Sequence, residues 1–292
     1  MKFLSTLASL TILVIMFSVL SAAAEDPNNS YGGAAGGGHV VVAAIPLTEE
    51  QKQSYIQRFI DEYGHQWAVA YRLDQLDSEA AVLQNADHAF IEHWAEQGNL
   101  RALSSKVVGL WSGIYGYQQN RDAARHFIEA RVAQGDPAAI SFEARALSRG
   151  QFWHRRSSAA ARAFIDQWVE QGNAAAIAEK ATALSHARGG FYEYTPAGAA
   201  VAQNFIEAWV SQGNPGAIEK KAIGLLFGFY GYEQNPVVAR EFIDQWVEHG
   251  NQEAIELKAE GLVLGKYGYE GATETDIEEF INYINPAHFL IK

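Results

Sequence analysis

The sequence predicts an all-α protein, an α/α solenoid of about thirteen helices built from stacked helix-turn-helix repeats. Three observations carry that prediction. The dipeptide Phe-Ile begins at Phe59, Phe90, Phe127, Phe164, Phe205, Phe242 and Phe280, at spacings of 31, 37, 37, 41, 37 and 38 residues, and a recurring period of this length is the signature of repeat architecture. Around each Phe-Ile the apolar residues keep helical spacing: Ala239, Phe242, Ile243, Trp246 and Val247 form one stripe, with Arg240, Glu241, Asp244 and Glu248 largely outside it. Each stripe then stops at glycine followed by Asn or Asp, at Gly98-Asn99, Gly135-Asp136, Gly172-Asn173, Gly213-Asn214 and Gly250-Asn251. Glycine takes the left-handed terminal conformation, and Asn or Asp caps the helix that follows.

The first 24 residues are a separate object. Lys2 precedes an apolar run from Leu7 to Leu20, and Ser21-Ala22-Ala23-Ala24 then meets Glu25 and Asp26. This is the order of a secretory signal peptide cleaved after Ala24. An uncleaved anchor is the alternative, because Leu4 to Ala24 approaches spanning length. Residues 25-46 read as a flexible linker, since the glycine-rich run from Gly32 to Gly38 lies between Pro27 and Pro46. No Lys-Ser or Lys-Thr follows those glycines to make a phosphate loop.

The repeat domain is expected over 47-284. A lone helix near 48-63 comes first, then hairpins at about 66-97, 99-134, 136-171, 173-212, 214-249 and 251-284. The second helix type is shown by Ala254, Ile255, Ala259 and Leu262, and it ends in a glycine and aromatic turn such as Gly228-Phe229-Tyr230-Gly231-Tyr232 or Gly265-Lys266-Tyr267-Gly268-Tyr269. A single hairpin cannot close an apolar core on itself, so neighbours must stack. The tail over 285-292, apolar at Phe289, Leu290 and Ile291, is expected to fold back over the last repeat.

The order Ala239-x-x-Phe242-x-x-x-Trp246-x-x-x-Gly250-Asn251, followed by Ala254-x-x-x-x-Ala259-x-Gly261 and Gly265-x-x-Gly268-Tyr269, resembles the Sel-one-like repeat (SLR) family, relatives of the tetratricopeptide repeats. The resemblance covers about residues 66-284. It departs from the family pattern in placing tyrosine where the loop often has Gly-Val, and Phe-Ile before the helix tryptophan. What it implies is a noncatalytic scaffold for protein-protein interaction, in exported bacterial members one that meets envelope or host proteins. The alternative it implies is a cell-wall or β-lactam hydrolase of the same repeat type.

Composition narrows the function classes. With no cysteine, disulfides, thiolate metal sites and Cys nucleophiles are excluded. The formal charge of -12, which becomes -13 when Lys2 leaves with the signal peptide, argues against nucleic acid or an anionic membrane as the main partner. No His-Glu-x-x-His or Gly-x-Ser-x-Gly occurs. His88 and His93 fall about 140° apart on a helix, so they do not converge on one metal. The expectation is therefore no enzyme, no cofactor and no metal. The expected partner is a protein or peptide, the location secreted or periplasmic, and no stable membrane span remains after cleavage.

Residues that recur in every unit read as architecture, and the unit that breaks the pattern reads as recognition. Trp94, Trp168, Trp209 and Trp246 recur on the core stripe. Acids after Phe-Ile, at Glu92, Glu129, Asp166, Glu207 and Asp244, and lysines at Lys106, Lys180, Lys221 and Lys258 form two ladders of opposite sign. They are either salt bridges between paired helices or a charged inner groove for a peptide. The second complete hairpin breaks the rules: Arg131 replaces the tryptophan, Glu143 replaces the lysine, and the turn reads Gly150-Gln151-Phe152-Trp153-His154-Arg155-Arg156. Arg121 to Arg162 holds 8 arginines against 4 acids, whereas Asn235 to Lys292 holds 4 basic residues against 11 acidic ones. Arginine beside Trp and Phe is the composition of an interaction hot spot, so Arg131, Glu143, Arg145, Arg149, Phe152, Trp153, Arg155 and Arg156 are the candidate partner-binding residues.

Overall fold

The computed structural model describes residues 47-78, 85-185, 192 and 197-285. The expected signal peptide, the linker and the tail beyond Asn285 lie outside the described residues. All regular structure within them is helical. α1 (Glu49–Arg58) continues into a π-helical turn (Phe59–Tyr63); α2 (Gln66–Ser78), α3 (Asn85–Glu96), α4 (Leu100–Ser112), α5 (Arg121–Ala133), α6 (Pro137–Arg149), α7 (Ser158–Glu170) and α8 (Ala174–Ser185) follow. α9 (Gly198–Val210), α10 (Pro215–Phe227), α11 (Pro236–Glu248), α12 (Gln252–Leu264) and α13 (Glu274–Ile284) complete the series. These are the thirteen helices that the repeat predicts, stacked in sequence order. Among the described residues no helix is long and apolar enough to cross a membrane.

The helix boundaries follow from local chemistry. Asn99, Asn214 and Asn251 accept from backbone N–H groups three residues on, satisfying donors that have no intrahelical partner. Glycines close the opposite ends, with left-handed backbone at Gly113, Gly150, Gly228 and Gly265. The even-numbered helices α2 to α12 each pack directly on the next even-numbered one, and the odd-numbered helices lie behind them in a second layer. Small residues permit that close inner packing: a Cβ on Gly216 in α10 would lie 2.0 Å from the Ala174 carbonyl oxygen of α8.

The isoleucine of each Phe-Ile from Ile91 onward is the core residue, at most 2% exposed at Ile91, Ile128, Ile165, Ile206, Ile243 and Ile281. The recurring tryptophans do a different job. The rings of Trp94, Trp168, Trp209 and Trp246 lie 3.5-3.8 Å from the Cβ positions of Gly64, Gly135, Gly172 and Gly213, so each indole covers the helix-terminating glycine of the preceding unit.

Within residues 44-292 the stack closes on itself. α12 packs against both α1 and α2. Tyr55 Oη donates to Glu278 Oε1 at 3.0 Å, Arg58 Nη1 to the same carboxylate at 2.8 Å, and Gln51 Nε2 to Glu274 at 3.3 Å. The lone N-terminal helix is thus the piece against which the last hairpin docks.

Candidate functional site

The charge ladders resolve into one repeated joint. Lys106 Nζ donates to Glu92 at 2.7 Å, Lys180 to Asp166 at 2.6 Å, Lys221 to Glu207 at 2.9 Å and Lys258 to Asp244 at 2.6 Å, each 14 residues after its acid. A turn tyrosine completes the set. Tyr192, Tyr232 and Tyr269 donate to Asp166, Glu207 and Asp244, and Tyr117 stands against Glu92. Burial and the adjacent carboxylate push all four phenols well above the usual tyrosine range. Each ammonium also sits over the Phe of the next Phe-Ile: Lys106 over Phe127 at 4.3 Å, Lys180 over Phe205 at 5.4 Å, Lys221 over Phe242 at 5.0 Å and Lys258 over Phe280 at 5.4 Å. Lys106, Lys180, Lys221 and Lys258 therefore join helices across successive units and do not line an open groove. Sequence reasoning missed the tyrosines, although their offset of 25 or 26 residues from the acid was legible in the turn motif.

Glycine accommodates the tyrosine. A Cβ on Gly109, Gly224 or Gly261 would lie 2.4-2.5 Å from Cδ2 of Tyr117, Tyr232 or Tyr269, eight residues later. In the deviating unit the same register gives Ala146 and His154, so a smaller ring comes with a larger helix residue.

That unit changes the whole joint. Glu129, Glu143 and His154 occupy the acid, lysine and tyrosine positions. Glu143 Oε1 and His154 Nε2 lie 2.8 Å apart with side chains 13% and 17% exposed. They are out of line for a hydrogen bond, and Glu143 Oε2 and His154 Nε2 are buried without a hydrogen-bond partner. Burial and the charge of Glu129, opposed by Arg125, push the Glu143 carboxyl up to about 7, and burial lowers His154.

The eight candidate residues fall into four environments. Arg131 takes the tryptophan's place over Gly98, donates to Asp136 at 2.6 Å and reaches the Glu96 carbonyl at 3.2 Å. At the other units the capping Asn makes that backward reach, as Asn173 does to the Gly135 carbonyl and Asn214 to that of Gly172. Asp136 has no N–H to donate, so the guanidinium supplies it. Arg131 is an architectural replacement. Phe152 and Trp153 are half-buried: Trp111 lies 5.6 Å from Phe152 and 6.1 Å from Trp153, Phe142 is 5.1 Å from Phe152, and Arg121 covers Trp111 at 4.7 Å. The exposed aromatic hot spot expected there is a packed cluster instead. Trp153 falls where the other turns have Gly116, Gly231 and Gly268, glycines pressed against the preceding helix start; an indole there turns onto the neighbouring inner helix. Arg155 and Arg156 are exposed. Glu143 belongs to the joint, and Arg145 and Arg149 belong to the inner layer.

No family model matches the chain, and no curated protein matches it. The chain is similar in structure to Sel1 repeat proteins. One solved relative is a Sel1 repeat protein from Oxalobacter formigenes, at 16% identity and a TM-score of 0.39, over 80% of this chain and 91% of that one. Another is a protective antigen present in uropathogenic Escherichia coli strains displaying an SLR fold, at 16% identity and a TM-score of 0.35, over 80% of this chain and 49% of that one.

The inner layer carries the charges that do not recur. The positions equivalent to Glu260 are Val108, Arg145, Thr182 and Ile223, and those equivalent to Glu253 are Arg101, Ala138, Ala175 and Gly216. On α6, Arg145 Nε donates to Glu179 of α8 at 2.7 Å, and Ser141 donates to the same oxygen at 2.9 Å. Although burial opposes it, Arg145 holds Glu179 below the usual carboxylate range. Burial and the neighbouring Arg145 lower Arg149. On α12, burial together with Glu219 and Glu256 pushes Glu253 up to about 8, and burial raises Glu260. The inner layer is cationic along α6 and anionic along α12.

Proposed function

We propose that this chain is an exported, noncatalytic scaffold that binds a protein or peptide segment through its inner helical layer. The observation that carries this reading is the division of labour among charges. Those that recur are paired between units, whereas Arg145, Arg149, Glu253 and Glu260 sit on the inner helices at positions where other units place unrelated residues. A surface that varies along a regular scaffold can read a sequence, and opposed charges fix the direction in which a segment lies. Half-burial strengthens each such contact relative to open solvent.

The test is selection from a displayed library of extended peptides against the full chain at low and high salt. The expected result is enrichment of peptides with acidic residues toward one end and basic residues toward the other, lost at high salt. Arg149→Glu together with Glu253→Lys should reverse the preferred order of charges. Identical selections by both proteins would overturn the assignment. The reading also expects no turnover of peptidoglycan or β-lactam, and turnover abolished by one carboxylate substitution would replace it with the hydrolase.

A further inference from the structure

We propose that the joint of the deviating unit, formed by Glu129, Glu143 and His154 in register with Phe164, is a receiving site for a primary alkylammonium group, the group that four other joints supply from their own lysines. This goes beyond the peptide reading, and it does not depend on what the inner layer binds.

The other joints define what such a slot recognises. In each, an alkylammonium reaches a carboxylate at 2.6-2.9 Å and lies over a phenylalanine ring at 4.3-5.4 Å. A charged hydrogen bond and a ring face together select an ammonium on an apolar stem. The deviating joint keeps the acid, as Glu129, and by the same 21-residue offset that places Phe127 after Lys106 and Phe242 after Lys221 it keeps a phenylalanine, as Phe164. What changes is the lysine itself. Glu143 stands in its place, which removes the internal cation and adds a second carboxylate.

Two observations argue that this exchange makes a site and is not a structural substitute. Were the new pair simply another lock, its polar atoms would satisfy one another. Instead Glu143 Oε2 and His154 Nε2 are both buried and without a hydrogen-bond partner, and the 2.8 Å between Glu143 Oε1 and His154 Nε2 is out of line. Unsatisfied buried polar atoms are costly and rare, and they mark places where a further partner belongs. Nor does the chain bring its own cation to Glu143. Arg125, the nearest arginine on α5, donates to Glu129 at 2.6 Å from an exposed position. The side chains of Glu143 and His154 remain 13% and 17% exposed, enough to be reached from solvent.

The charge state of the site fits the same ligand. Glu143, pushed up to about 7 by burial and Glu129, is partly protonated near neutrality, and an ammonium binds only its ionised form. Binding must therefore displace a proton and strengthen as pH rises through about 7. The groups facing Glu143 that set this response are Glu129 and Arg125 on α5 and His154 in the turn.

The test titrates n-butylamine, and separately a terminally blocked Gly-Lys-Gly tripeptide, into the full chain at pH 8 while following the imidazole NMR signals of His154. Wild type is expected to show a saturable shift. Glu143→Gln, which preserves shape and removes the charge, should weaken binding by about tenfold. Glu143→Lys restores the recurring joint with Glu129, so it should abolish binding and raise Tm by about 2-4 °C. Tighter binding of the tripeptide than of butylamine assigns the site to a polypeptide lysine; equal binding assigns it to a free alkylamine. A shift in Glu143→Lys as large as in wild type, or a non-saturable shift in wild type, overturns the proposal. Should Glu143→Lys fail to fold, undiminished binding by Glu143→Gln overturns it equally.

Discussion

The carboxylate of Glu256 accepts the backbone N–H of Trp67 at 3.3 Å, across 189 residues of chain. Trp67 is the second residue of α2, where helix N–H groups have no intrahelical acceptor and the helix dipole favours a negative charge. His65 Nδ1 lies 3.5 Å from the same carboxylate. The last hairpin thus caps the first inner helix, which makes closure of the stack a chemical contact and not only a packing one. Replacing Glu256 with alanine leaves a buried donor without its acceptor and is expected to cost about 1-3 kcal/mol. Glu256→Gln keeps an acceptor and removes repulsion with Glu253, so it should cost less than half as much. Urea denaturation of the two variants beside wild type measures both, and equal losses would show that the cap contributes through charge alone.

The glycine and tyrosine of each joint should behave as one unit. Gly224→Ala places a methyl where only about 2.5 Å separates it from the Tyr232 ring, and overpacking of this kind costs about 1-3 kcal/mol. Adding Tyr232→His reproduces the Ala146 and His154 pair already present in this chain. The double variant should therefore be less destabilised than the sum of the singles, with a coupling of at least about 0.5 kcal/mol in a double-mutant cycle. Strict additivity would separate the two substitutions.

Arg131 and Asp136 form a second compensated pair. With side chains 14% and 10% exposed, they are buried enough that breaking the pair from either side leaves a charge without its partner. Arg131→Trp alone and Asp136→Asn alone should each cost on the order of 2 kcal/mol. Arg131→Trp with Asp136→Asn restores the tryptophan and the asparagine of the other units and should return close to wild-type stability. Thermal unfolding of the three proteins decides, and a double variant as unstable as either single rejects the compensation.

These pairs show where the sequence is legible. The Phe-Ile period, the helix-closing Gly-Asn and the 14-residue offset from acid to lysine are local, and each is set by chemistry within one or two helices. They give the helix count and the stacking order. Recurrence also separates architecture from exception, which is how Arg131 and Glu143 stand out before any coordinates. It does not tell a compensated exception from a functional one: Arg131 is explained only when Asp136 is seen to lack the donor that Asn173 and Asn214 use. Closure through Glu256 and Trp67 is illegible because it depends on small rotations accumulated over six hairpins, none encoded in a single residue. The inner charges are missed for the opposite reason. Glu253, Glu260 and Arg145 repeat nothing, so a search for periodicity passes over them.

The pH dependence of stability isolates Glu143. An exposed glutamate titrates near 4.3, whereas burial and Glu129 push Glu143 up to about 7 in the folded chain. The folded state therefore holds this proton more tightly than the unfolded state. Its contribution is fully present below about 4.3 and is lost as pH rises through about 7. Glu143→Gln stays neutral throughout, so its stability relative to wild type should be constant below about pH 4.3, grow between about 4.3 and 7, and level off above, by a total on the order of 2-3 kcal/mol. His154 contributes with the opposite sign: lowered by burial, it stabilises above its ordinary value near 6.5 and loses that as pH falls. Glu253, raised to about 8 on α12, is common to both proteins and cancels in the difference. A His154→Phe background removes the histidine contribution, and the growth between pH 4.3 and 7 should persist there. Urea midpoints across that range supply the curve, and a stability difference that stays flat means that Glu143 is ionised in the folded protein throughout.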